Sequence, residues 1–172
     1  MFDYIKDTIL ENKILIIIFI IFIIIRSLIF PFYSIEGASM DYTLEHGEKV
    51  IGTNYFEIDR FDIVIMDVPE LDKYYIKRII GIPGDRIEYK NDELYINNEL
   101  VTEPYLETKK EEWLQFTEDL IIEKVPDDEY FVLGDNRRNS KDSRDMGTIP
   151  KENILSEALL IYWPLNKVNL IK

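Results

Sequence analysis

The sequence predicts a mostly β domain behind a single apolar N-terminal helix of membrane length. Two observations carry that prediction. Ile14 to Ile25 is a run of twelve consecutive apolar residues, extended through Ser27, Leu28, Ile29, Phe30, Pro31 and Phe32 with Arg26 as the one charged interruption. From Tyr33 onward the pattern changes to short β-branched and aromatic runs separated by turn residues, as strands require. The 172 residues accommodate one anchor, residues 1–32, and one β-rich domain of ordinary size, residues 33–172.

The nineteen residues from Ile14 to Phe32 rise about 28 Å as a helix, close to the roughly 30 Å of a bilayer's hydrocarbon core. Arg26 is costly at mid-bilayer, but near one end its long stem carries the guanidinium to the headgroups. Pro31 marks the helix exit. A cleavable leader would follow a shorter apolar core with small residues; Phe30, Pro31, Phe32 and Tyr33 stand there instead, which favours a retained anchor. Lys6 and Lys13 before the span, against Arg26 alone after it, put the N-terminus in the cytoplasm and the domain outside.

Seven strands are expected: Lys49–Thr53, Asp62–Met66, Tyr74–Ile80, Arg86–Lys90, Glu93–Ile96, Tyr130–Leu133 and Ala158–Trp163. Asn91-Asp92 between the fourth and fifth reads as a tight hairpin, because both residues tolerate positive φ. Gly81-Ile82-Pro83-Gly84-Asp85 breaks a strand and turns the chain. Thr102–Lys124, charged with Trp113, Leu114 and Phe116 interspersed, reads as a surface excursion with a helical turn. Composition narrows the partners. A net charge of -13 argues against nucleic acid, whose recognition needs clustered Lys and Arg. With no cysteine and one histidine, thiolate and multi-histidine metal sites are excluded, and no cofactor is expected.

The chemistry rests on three segments. In Tyr74-Tyr75-Ile76-Lys77-Arg78-Ile79-Ile80-Gly81 the strand period puts Tyr75, Lys77 and Ile79 on one face and Arg78 on the other. An ordinary strand lysine runs its stem along the core edge and keeps its ammonium in water. A lysine held among apolar groups instead loses stabilisation of its charged form and becomes a base near neutral pH. For that its pKa must fall by about two to three from about 10.4, where only a few molecules in ten thousand are neutral at pH 7. Ser39, in Gly37-Ala38-Ser39-Met40, has the ordinary alternative of a turn serine. Its place about seven residues past the helix exit sets its hydroxyl near the bilayer surface. The third segment, Gly134 to Gly147, alternates acids with arginines in a pattern suited to internal ion pairs. Ser140 within it could hydrogen-bond and orient the lysine amine, the third role that an activated nucleophile generally needs.

Together these blocks resemble type I signal peptidases, the membrane-bound Ser/Lys proteases that remove signal peptides from exported preproteins. The resemblance runs through Gly37-x-Ser39-Met40 with Thr43-Leu44, Arg60-Phe61-Asp62-Ile63-Val64, Tyr75-Ile76-Lys77-Arg78 leading to Gly81–Asp85, and Gly134-Asp135-Asn136-Arg137, Ser140, Asp142-Ser143-Arg144 and Gly147. It implies a compact antiparallel β domain of that type, Ser39 as nucleophile, Lys77 as general base and Ser140 as the hydroxyl beside the lysine. Asp135, Arg137, Asp142, Arg144 and Arg78 look like the family's bracing polar network. It further implies an acyl-enzyme, Ala-type residues at the first and third substrate positions before the cut, and an extended peptide pairing with strand edges. Ile35, Met40, Leu44, Tyr75 and Ile76 are the expected pocket walls.

The implied partners are preprotein signal peptides and the lipid bilayer, at a cytoplasmic membrane crossed once. The sequence carries no signal for a particular oligomeric state. Two positions depart from the usual pattern: Tyr42 stands where the family usually has proline, and Arg138 where many members carry an acid or a neutral residue. Gly37 stands where some members carry an oxyanion-hole hydroxyl, which leaves the Ser39 backbone N–H as the donor read here. His46, the one alternative base, lies in the turn-like Glu45-His46-Gly47-Glu48. Two other readings are a repressor-type Ser/Lys autoprotease and a noncatalytic membrane-tethered binding protein.

Overall fold

Among the residues that the computed structural model describes, 12–68 and 73–171, twelve strands in two antiparallel sheets follow an N-terminal helix. The helix α1 spans Lys13–Ile29. It stops because Pro31 disfavours helical geometry at Phe30, whose φ of -121° and ψ of 77° lie outside the helical region. This shortens the expected span: Phe32 is not helical but opens strand β1, Phe32–Ser34. Among the described residues no helix is long and apolar enough to cross a membrane. The expected anchor's first eleven residues lie outside the described residues.

The larger sheet contains β1, β2 (Lys49–Thr53), β3 (Ile63–Val68), β4 (Lys73–Gly81), β9 (Glu129–Leu133), β10 (Ile149–Pro150), β11 (Ile154–Trp163) and β12 (Asn169–Leu170). Its order is β1-β2-β11-β3-β4-β9-β10, with β12 paired to β11. The smaller sheet runs β7-β6-β5-β8, from β5 (Ile87–Lys90), β6 (Glu93–Ile96), β7 (Glu99–Val101) and β8 (Leu120–Ile122). Asn91 and Asp92 take positive φ at the β5–β6 turn, and Asn97 and Asn98 repeat the device at β6–β7. All seven expected strands are present within a few residues of their expected ends, and the five they omit have only two or three residues each.

Three apolar clusters hold this together. Ile35, Met40, Leu44, Val50, Ile63, Ile65, Ala158 and Ile161 form one; a second gathers Val64, Met66, Ile79, Val132 and Ile154 on the opposite face. A third joins the two sheets through Ile80, Ile87, Tyr89, Leu94, Phe131 and Leu133. The expected excursion is not a free surface loop. Glu103, Leu106, Phe116 and Thr117 are buried, and its end forms β8 against β5. Apolar Leu106 and Phe116 supply the packing, and half-buried Asp92 fixes its backbone: the Phe116 N–H donates to the Asp92 carboxylate at 2.8 Å.

Asn54 ties the helix to the sheet. Its backbone N–H donates to the carbonyl of Ile29 at 3.0 Å and its side-chain amide to that of Leu28 at 3.1 Å. Two of the carbonyls that every helix end leaves unpaired are thereby satisfied from the end of β2, and Ser156 of β11 hydrogen-bonds the Asn54 side-chain oxygen.

Candidate active site

The site forms where β9 leaves β4. Along β4, β9 pairs with Arg78 through Gly81 only, so the half preceding Arg78 has β3 on one side and the loops bearing Ser39 and Gly134 near the other. Strand alternation puts Lys77 beside Tyr75 and Ile79, and the ammonium stands 5.2 Å from the Tyr75 ring centroid. Lys77 is only 1% exposed. Its Nζ lies 2.7 Å from Ser39 Oγ and donates to the carbonyl of Ile76 at 2.7 Å. Burial pushes the Lys77 ammonium down from 10.5 to about 8, against the opposing influence of the Asp142 and Asp135 carboxylates.

Ser39 is held from both sides. Its carbonyl accepts from the Asn136 N–H at 3.0 Å, and the Ala38 carbonyl accepts from the Asn136 side-chain amide at 3.0 Å. Downstream, the Thr43 and Leu44 N–H groups donate to the Met40 carbonyl, and the Thr43 hydroxyl donates to Asp135. Upstream, the Gly37 N–H donates to His46 Nδ1 at 3.2 Å. His46 is exposed and supports the loop's backbone. Gly134 is required here by close approach, since a Cβ on it would overlap the Ser39 carbonyl oxygen and Ser140 Oγ.

The expected bracing residues are brought together in three ion pairs around the Gly134 loop. Arg78 and Asp135 form a bidentate pair at 2.9 and 2.7 Å, and Arg78 also donates to the Phe61 carbonyl and stacks 3.9 Å over the Tyr105 ring. Arg137 donates to Glu103, Tyr89 and the Gly134 carbonyl, with both charged side chains wholly buried. Asp142 caps the short helix α2, Ser143–Met146, accepts from the Gly134 N–H at 3.0 Å and pairs with Arg144. Although burial pushes the Asp142 carboxyl up, the Arg144 guanidinium and the Gly134 N–H hold it below the usual carboxylate range. Arg144 in turn donates to the Arg137 carbonyl at 2.8 Å.

Ser140 Oγ is buried with no hydrogen-bond partner among the described residues, and it lies close enough to Asp142 to help hold that carboxyl down. The Lys77 amine's hydrogen bonds go to Ser39 and Ile76. Of the expected pocket walls, Tyr75 and Ile76 are partly exposed, whereas Ile35, Met40 and Leu44 are 3%, 1% and 0% exposed. Those three are core residues beneath the loop. The turn after Ser39 puts Met40 inward, in the core cluster with Ile63 and Ile65.

Sequence reasoning missed four participants. Glu103 is the buried partner of Arg137, Tyr89 and Tyr105 donate to it at 2.7 and 2.9 Å, and Thr43 reaches Asp135. An isolated acid after Val101-Thr102 gives no local sign of an arginine thirty-four positions away. Thr43 lies in the Ser39 segment beside Leu44, and its hydroxyl is the available signal. Arg138, the second departure, points outward, 3.5 Å from Glu118 and 5.4 Å from the Trp113 ring centroid.

The family profile described as "Signal peptidase, peptidase S26" matches residues 7–163. The chain is 42% identical over 174 aligned positions to signal peptidase I S of Bacillus subtilis (strain 168), covering 95% of this chain and 94% of that protein. It is 40% identical to signal peptidase I of Bacillus licheniformis, covering 91% and 89%. Among solved structures, a signal peptidase I from Enterococcus faecalis V583 superposes with a TM-score of 0.57 at 34% identity, over 59% of this chain and 97% of that one. A dyad-like Ser–Lys contact on a mostly antiparallel β scaffold, with matches reaching across nearly the whole sequence, leads to one assignment: the chain belongs to the signal peptidase family, peptidase S26.

Proposed function

We propose that Ser39 and Lys77 are the nucleophile and general base of the signal-peptide-removing serine endopeptidase that family membership makes this chain. The observation that carries the assignment is the 2.7 Å approach of a 1%-exposed lysine amine to a serine hydroxyl. With the amine neutral, Ser39 Oγ attacks the scissile carbonyl carbon while its proton passes to Lys77 Nζ. In this reading the Ser39 backbone N–H stabilises the oxyanion. Collapse breaks the C–N bond, and Nζ returns the proton to the leaving amine. Water then attacks the acyl-enzyme carbonyl, losing its proton to Nζ; collapse breaks the ester C–O bond, Nζ returns that proton to Ser39 Oγ, and the signal peptide leaves as a carboxylic acid that ionises in water.

The Ile76 carbonyl holds Nζ on the Ser39 side, and Tyr75 and Ile76 are the exposed walls offered to small substrate side chains. Ser140 is the supporting hydroxyl in this reading: a buried hydroxyl without a hydrogen-bond partner among the described residues is unusual, and both it and the Ser39 carbonyl pack against Gly134. The half of β4 before Arg78, unpaired by β9, offers an edge to an extended peptide. Arg78–Asp135 and Asp142–Arg144 fix the two loops that face it. The repressor-type and noncatalytic readings are set aside by the breadth of the family match.

Helix α1 is the membrane anchor in this reading. Its isoleucines and phenylalanines are exposed on every side, and none of its residues is buried by protein. A helix apolar all round needs a core or a bilayer to cover it. Its seventeen residues rise about 26 Å, and Arg26 lies in its last turn beside Phe32, 4.9 Å from that ring's centroid. The excess of Lys6 and Lys13 before the apolar run over Arg26 after it supports a β domain outside a cytoplasmic membrane.

The test is the pH dependence of kcat/KM for a signal-peptide-bearing substrate. With Lys77 at about 8, activity is expected to rise about tenfold per pH unit below pH 8 and level off above it, as the neutral amine becomes the dominant form. A profile with no acid-side loss between about pH 5 and pH 9 would rule out a lysine base.

A further inference from the structure

Tyr42 is the outward-facing residue of the turn that carries Ser39, and its backbone is held at φ +90°, where side chains are strained. Proline, fixed near -65°, cannot take that conformation, so the stiffness a proline ring would give this turn must come from contacts instead. The contacts are present. The Lys109 ammonium stands 4.3 Å over the Tyr42 ring and the Phe116 ring lies 6.2 Å away, centroid to centroid.

Both belong to the 103–117 segment, which is itself fixed. Phe116 is wholly buried, its N–H bonds Asp92, and Lys110 donates to the Asp92 carbonyl and to buried Glu103. Glu103 in turn closes the pair with Arg137 in the Gly134 loop. The turn is therefore gripped on its inner side by Met40 and Leu44 and on its outer side by this segment.

We propose that Tyr42 is a positioning residue for the reaction, and that the 103–117 segment is a brace that holds the nucleophile turn through its ring. This rests on Ser39 being the nucleophile. The brace acts on where Oγ points, leaving the charge state of Lys77 alone, so its loss lowers kcat without moving KM or the pH midpoint. Orientation errors of this kind are expensive in rate.

Full-length protein in detergent, assayed with a synthetic peptide spanning a signal-peptide cleavage site, decides the matter. Tyr42→Gly accepts the positive φ but removes the ring, and should lose about tenfold in kcat per folded molecule with KM and the pH midpoint unchanged. Tyr42→Phe keeps the stack and should stay within about twofold of wild type. Lys109→Met leaves the turn's backbone untouched and should fall between them, which decides the question should Tyr42→Gly fail to fold. Wild-type kcat in both Tyr42→Gly and Lys109→Met, a Tyr42→Phe loss equal to that of Tyr42→Gly, or a loss carried by a shifted pH midpoint would overturn the proposal. Ser39→Ala runs alongside: full activity there removes the nucleophile assignment itself, whereas an inactive Ser39→Ala with an indifferent Tyr42→Gly removes only the brace.

Discussion

Lys77→Met is expected to lower cleavage by about 10³-fold or more while making the folded domain more stable. The activity loss follows from removing the only base within hydrogen-bonding reach of Ser39 Oγ among the described residues; members of a nucleophile–base unit typically cost this much or more when deleted. The stability gain follows from linkage. A lysine at about 8 in the fold and about 10.4 in the unfolded chain binds fewer protons folded than unfolded between those values. Stability therefore rises with pH across that window, and below it the fold carries the full burden of a charged, buried amine. At about 1.4 kcal/mol per pH unit the burden is about 3 kcal/mol. An isosteric apolar side chain removes it. Ser39→Ala should match the activity loss without the stabilisation, so paired kinetics and denaturant melts separate the two residues' roles. Comparable melting midpoints for Lys77→Met and Ser39→Ala would mean that the buried amine is not strained.

The second large effect lies away from the reacting atoms. Glu103→Ala should destabilise the domain by about 3–5 kcal/mol, since it strands the Arg137 guanidinium in the interior. Against a total stability of about 5–15 kcal/mol that is enough to threaten folding. Replacing both partners with apolar residues, Glu103→Leu with Arg137→Met, should recover much of the loss, because it leaves no unpaired charge. Although burial pushes the Glu103 carboxyl up, the Arg137 and Lys110 cations hold it at about 2. Its contribution is thus present above the ordinary value of 4.5 and is lost as pH falls towards 2. Denaturant midpoints across pH 2–7 read both effects, and a Glu103→Ala midpoint within about 1 kcal/mol of wild type contradicts the buried pair.

Legibility in the sequence tracked the range of the interaction. Strands of four or more residues declared themselves by alternation, and Asn91-Asp92 by its tolerance of positive φ. Ile149–Pro150 and Asn169–Leu170 are too short to show a period, and they exist because a neighbouring strand presents an unpaired edge. Lys77 was readable because its charge interrupted an apolar face. Glu103 was not, because its burial depends on Arg137 arriving from the Gly134 loop. Within the excursion, Leu114 is fully exposed and Phe116 fully buried, a distinction set by the Asp92 carboxylate that captures the Phe116 N–H. Met40 and Leu44 beside the nucleophile looked like pocket walls for the same reason: adjacency in sequence does not say which way the turn faces.

The most direct test of the whole account is the titration of the Lys77 amine itself, followed by NMR on protein labelled at lysine side chains and assigned by comparison with Lys77→Arg. A midpoint at about 8 is the expected result. A midpoint near 10.5, the value of an amine in water, would contradict the account and leave Ser39 without a base.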